Sequence, residues 1–172
     1  IGESFSLSTS FKRFLPQTYA SATFLLAIAP PDEIVAVPSG MRRHHKLYQK
    51  TAAIPLDIDR YNSERLYQHK PQIAFVAPYS HPTTLNALRN QGIRLFTCKN
   101  MESIPEIHSA LIRIGQLTNH TMEADLLSIF IDASLAAIDN RMLALNSQFL
   151  EPQKILFLNY FDHFISASHR PL

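Results

Sequence analysis

"PQIAFVAPYSHPTTLNALRNQGIRLF", residues 71 to 96, decides how the chain folds. Gln72 to Ala77 is a short apolar run of the length and type that a strand buried on both faces needs. Ser80 or His81 is placed to cap a helix, since a side-chain acceptor there takes a backbone N–H that the first turn leaves unpaired. Pro82 suits that first turn, where a missing N–H costs nothing. Gly92 supplies a left-handed residue at the helix end, and Ile93 to Cys98 is a strand again. The unit is β-α-β. With no glycine between Phe75 and Gly92, its turn cannot wrap a pyrophosphate closely, so Tyr79-Ser80-His81 reads as one wall of a ligand cleft.

The same grammar runs outward. Phe11 to Thr18 predicts a short strand, Ser21 to Ala29 a helix stopped by Pro30-Pro31, and Glu33 to Pro38 a buried strand with β-branched Ile34, Val35 and Val37. Ser39 to Tyr61 is irregular and holds the basic cluster Met41-Arg42-Arg43-His44-His45-Lys46. Asn62 or Ser63 is positioned to cap a short helix reaching Lys70. Ser103-Ile-Pro-Glu106 has the spacing of a capping box and opens a helix with Ile107, Leu111, Ile114 and Leu117 along one face. Apolar residues then recur at three and four from Thr121 to about Phe149, a helix of roughly 40 Å at ~1.5 Å per residue. That is longer than one small domain needs, and it reads as a strut between two bodies. Lys154 to Tyr160 is a last buried strand, with a loop from Phe161 to Leu172.

Parallel strands require helical crossovers. The order therefore predicts an α/β fold: a Rossmann-like, mostly parallel sheet flanked by helices, then one long inter-lobe helix and the first strand of an incomplete second lobe. The expected boundaries are an N-terminal lobe over 1–120, the long helix over 121–150 and the start of a C-terminal lobe over 151–172.

Composition narrows the function classes. Of 172 residues, 46% are hydrophobic and 17% charged, enough apolar material for a packed core. The net charge of +2, with only one basic cluster, gives no support for nucleic-acid binding. One cysteine, Cys98, excludes an internal disulfide and a cysteine-based zinc site. No run approaches the ~18 apolar residues of a membrane span. Four glycines, no GxGxxG, no GxxxxGK[ST] and no GxSxG leave phosphate cradles and Ser-His-Asp hydrolysis without a platform. Asp57 and Asp59 read as solvated loop carboxylates. An enzyme is not expected, and no resident cofactor is called for.

Three stretches carry a resemblance when taken together. "FKRFLPQTYASATFLLAIAPPDEIVAVPSG" resembles the opening of the periplasmic solute-binding proteins that serve ABC importers of iron-siderophores, haem and cobalamin. "NSERLYQHKPQIAFVAPYSHPTTLNALRNQGIRLFTCKNMESIPEIHSALIRIGQLTNHTMEA" is similar to the second half of that family's first lobe, and the long helix followed by KILFLNY looks like its inter-lobe helix and the first strand of its second lobe. The likeness covers about residues 11 to 161 and rests on order and spacing. The first helix departs from the pattern, with Ile28-Ala29 where a Leu-Gly end is usual and Phe24 where a Glu is common. Asn119 stands for the final Gly of an "LTG" ending, and tolerates the same left-handed conformation.

The resemblance implies an extracytoplasmic location with the signal peptide already removed, a small-molecule ligand such as an iron chelate, haem or corrinoid, and a membrane permease of an ABC importer as partner. In open parallel sheets, ligands sit beyond the carboxyl ends of the strands. That rule nominates Tyr19 and Ser21, then Arg42 and Arg43, then Tyr79 and Ser80, and Tyr160 from the second lobe. Aromatic rings would cover the apolar parts of a chelate, and paired arginine N–H groups would grip carboxylates. Tyr79 reads either as a phenolate ligand for ferric iron or as a rim aromatic packing on Pro82. Two other classes stay open. One is a self-associating interaction domain that keeps the fold without the cleft and forms a homodimer; the other is a small metal-binding protein using His44, His45 or His81.

Overall fold

The structure, a computed structural model, describes residues 11–43, 51–57, 69–99, 101–146, 157–161 and 164–168. Strand β1 (Phe14–Pro16) leads into helix α1 (Tyr19–Ile28), a 3-10 turn over Pro31–Glu33 and strand β2 (Val37–Pro38). A second 3-10 turn, Ser39–Arg43, precedes strand β3 (Leu56–Asp57). Then come β4 (Ile73–Val76), α2 (Pro82–Asn90), β5 (Arg94–Thr97) and α3 (Ile104–Thr118), followed by the long α4 (Thr121–Asn146). Residues 62–68 of the predicted helix, the cluster 44–46 and Asp59 lie outside the described residues; Lys70, expected to end that helix, has φ 45° and is not helical.

All pairings among the first five strands are parallel. β1 lies between β4, with Phe14 opposite Ile73, and the segment leading into β2, through a bridge from Phe14 to Ile34. β4 continues to β5, and β2 to β3. The spatial succession is therefore β3, β2, β1, β4, β5, the order of a doubly wound α/β fold, because each helix crossover returns the chain to the same sheet in the same direction.

Strict alternation along the strands explains the two layers. Phe14, Ile73 and Phe75 face a core shared with Leu25 and Ile28 of α1 and Leu111 and Ile114 of α3. Leu15, Ala74, Val76 and Leu95 face the opposite core, closed by Leu88 of α2. Both faces of the central strands are thus fully covered, at about 1.5–3 kcal/mol for each large side chain removed from water. Arg13 ties the amino ends of β1 and β4 together by donating to the carbonyls of His69 and Lys70.

Helix ends follow the sequence with two corrections. Gly92 takes φ 73° after α2 and Asn119 φ 60° after α3, so both expected left-handed positions are occupied. Ser103, however, makes no side-chain cap to its helix. Its hydroxyl instead donates to Glu106 Oε2 at 3.0 Å, and the same oxygen accepts from the Glu102 N–H at 2.8 Å. The carboxylate outcompetes the backbone for the serine. A true capping box forms at α1, which begins at Tyr19 rather than Ser21: Thr18 Oγ1 accepts from the Ser21 N–H at 3.1 Å.

The chain falls into two compact units, 1–132 and 133–172, the division lying inside α4. On the first unit, Ala124, Leu127 and Ile131 of α4 pack on the core. In the second, β6 (Phe157–Phe161) pairs antiparallel with β7 (Phe164–Ser168). The expected loop after Phe161 is thus corrected: residues 164–168 form a strand, which pairs with β6 from Phe157 to Phe161 along one flank.

Candidate functional site

Thr18, Pro38 and Ala77 follow or end β1, β2 and β4, and the three segments open onto one cleft of about 690 Å³. It lies where the carboxyl ends of parallel strands converge, inside the first unit, and its volume falls within the ~300–1,000 Å³ of small-molecule sites. Two helices begin at it. α1 starts from Thr18 and its capping box, and α2 from His81, whose Nδ1 accepts from the Thr83 N–H at 3.3 Å. Ser80 does not cap α2; its hydroxyl accepts from the Ala77 N–H at 2.9 Å and tightens the turn.

Tyr19 and Tyr79 supply the aromatic surface. Tyr79 is 82% exposed and Tyr19 52%, so neither is a core residue. None of the described lining residues is Asp, Glu, Lys or Arg. The field there comes from the two helix N-termini, each equivalent to roughly half a positive charge, which suits electron-rich atoms such as carboxylate or oxo groups.

Of the residues nominated by sequence, Tyr19, Tyr79 and Ser80 line the cleft. Ser21 is fully buried and bonded to Thr18, away from the cleft surface. Arg42 and Arg43 belong to the 39–43 turn that begins at the cleft edge. Tyr160 lies on β6 opposite Ile165, in the second unit. Among the described residues no three His, Cys, Asp or Glu side chains gather as metal ligands. His44 and His45 lie outside the described residues.

Sequence reasoning singled out neither Gln17, Gly40 nor Thr84, all of which line the cleft. Thr84 was within reach, because it stands three residues after His81 on the same helix face. Gly40 gave no local signal, since its role depends on a residue from another element.

No family model matches the chain, and no curated protein matches it in sequence. Solved structures match in fold. The periplasmic heme-binding protein RhuT from Roseiflexus sp. RS-1, in apo form, aligns with a TM-score of 0.72 at 16% identity, over 92% of this chain and 59% of its own. A possible iron-binding, periplasmic solute-binding protein from Staphylococcus epidermidis aligns with a TM-score of 0.70 at 20% identity, over 93% and 61%. The molybdate periplasmic binding protein MolA of Haemophilus influenzae aligns with a TM-score of 0.60 at 18% identity, over 78% and 47%. This chain spans 43% to 61% of the length of the structures of this group. It has the fold of periplasmic solute-binding proteins, in agreement with the sequence resemblance.

Proposed function

We propose that the chain forms one wall of an extracytoplasmic solute-binding cleft that captures a compact ligand, an iron chelate, haem or a corrinoid, and hands it to the permease of an ABC importer. The observation that carries this reading is the cleft itself: two exposed tyrosine rings and two helix N-termini converge at the carboxyl ends of β1, β2 and β4, with no acidic side chain among the described lining residues. Rings match the flat, apolar part of such a ligand, and the helix ends match its carboxylate or oxo periphery. Heme, iron and molybdate in the descriptions of the matched structures are consistent with this class. Arg42 and Arg43 complete the proposed wall, and Tyr79 is its proposed iron ligand.

Titration of the purified chain with haemin, a ferric hydroxamate siderophore, cobalamin and molybdate, followed by absorbance or calorimetry, tests the reading. Saturable binding of haemin or the ferric chelate, weakened at least about tenfold by Tyr79→Ala, is expected. No saturable binding of any of the four sinks it.

A second reading rests on α4, where Met122, Leu126 and Ile129 are each at least 60% exposed on the first unit. Apolar residues so placed along one helix suit self-association. Light scattering of wild type and Leu126→Glu decides it: a dimer converted to monomer supports this class, and a wild-type monomer rejects it.

A further inference from the structure

Gly40 sits buried in the 39–43 turn with a backbone outside the left-handed region, so its conformation does not require glycine. Space does. A Cβ built there would lie 1.5 Å from the Tyr19 hydroxyl oxygen and 2.6 Å from Cζ of the same ring. No side chain larger than hydrogen is compatible with the ring where it stands, because non-bonded atoms separate by about 3.5 Å or more.

Tyr19 is the first residue of α1, and on its inner side Ser21 and Ala22 are fully buried. The ring is half-exposed and its tip is the part a Cβ would meet, so the ring is what yields, and its displacement reshapes the cleft that Tyr19 and Gly40 both line. We propose that Gly40 is a specificity-setting seat: it holds the Tyr19 ring back against the 39–43 turn and keeps the space facing Tyr79 open for ligand. The seat also couples the start of α1 to the turn that carries Arg42 and Arg43, so ring position and turn position are set together. This inference rests on the ligand-binding reading above for its functional half, and on geometry alone for the seat.

The seat is read without ligand from the ring spectrum of protein carrying 13C-labelled tyrosine, with the Tyr19 and Tyr79 signals assigned by their loss in Tyr19→Phe and Tyr79→Phe. Gly40→Ala is expected to shift the Tyr19 ring signal and to leave the Tyr79 signal in place. An unmoved Tyr19 signal overturns the seat. The functional half uses haemin as probe. Gly40→Ala is expected to weaken haemin binding about tenfold or more in the wild-type background and less than about twofold in the Tyr19→Ala background. Equal losses in both backgrounds, or no loss in the first, overturn it. Should Gly40→Ala fail to fold, a folded Gly40→Ala/Tyr19→Ala double variant supports the seat and an unfolded one rejects it. A wild type that binds no haemin removes the functional half together with the ligand reading for haem, while the ring spectrum still decides the seat.

Discussion

His120 Nε2 lies 2.8 Å from Glu33 Oε2, joining the corner between α3 and α4 to the turn that enters β2. The imidazole also packs in a T-shaped arrangement with the Phe14 ring, with centroids 6.2 Å apart and planes at 86°. Both polar groups are mostly withdrawn from water, so each depends on the other for its hydrogen bond. Glu33→Ala or His120→Ala is expected to cost about 1–3 kcal/mol in urea unfolding at neutral pH, since the survivor is left unsatisfied. The double variant should cost clearly less than the two singles together. Strict additivity would show that the contact carries no coupling.

Gly115 marks the tightest point of the same corner. A Cβ there would stand 2.5 Å from the Ala124 Cβ and 3.0 Å from the His120 carbonyl oxygen. Alanine in a helix normally gains about 1 kcal/mol over glycine. Overpacking costs about 1–3 kcal/mol, and here the neighbours are backbone and a side chain buried in the core. Gly115→Ala should therefore lower Tm, and a raised Tm would mean that α4 moves aside freely.

Cys98 is buried, and desolvation pushes its thiol up to about 12. Iodoacetamide at pH 9 should leave the native protein unlabelled and modify it rapidly in urea, since only the thiolate reacts. The folded chain holds this proton more tightly than the unfolded one, whose thiol titrates near 8.5. The thiol's contribution to stability is thus complete below that value and is lost as pH rises toward about 12. Cys98→Ala should flatten that alkaline decline.

Glu106 behaves in the opposite sense. The Glu102 N–H and then the Ser103 hydroxyl hold its carboxyl below the usual carboxylate range. Its contribution is present above that range and disappears as pH falls through the lowered value. Glu106→Gln should therefore separate from wild type in urea unfolding at pH 7 and merge with it in strong acid. A constant offset across the pH range would assign the effect to packing.

Much of the first unit was legible because its information is local. The alternation Ile73, Ala74, Phe75, Val76 assigns successive side chains to opposite cores, and Gly92 and Asn119 occupy positions that few residues tolerate. Competition was harder to read. The spacing of Ser103 and Glu106 announces a capping box, yet the carboxylate takes the hydroxyl for itself. Phe164–Ser168 mixes apolar and small polar residues, and its strand character comes from pairing with β6 rather than from pattern. The cleft was found by a rule about strand ends. The Tyr19–Gly40 contact was not, because it joins two elements whose approach no local pattern encodes.

The place of β1 in the middle of its sheet imposes a schedule. Phe14 meets Ile34 across a short crossover but meets Ile73 only after a far longer stretch of chain has closed. Loop-closure entropy favours the nearer contact first, so the initial β-α-β turn is the natural nucleus. Until residues 73–76 arrive, one flank of β1 offers unpaired backbone groups to any passing strand. During synthesis this exposed interval lasts for the tens of residues between them, and the shortness of β1, three residues, limits what can capture it.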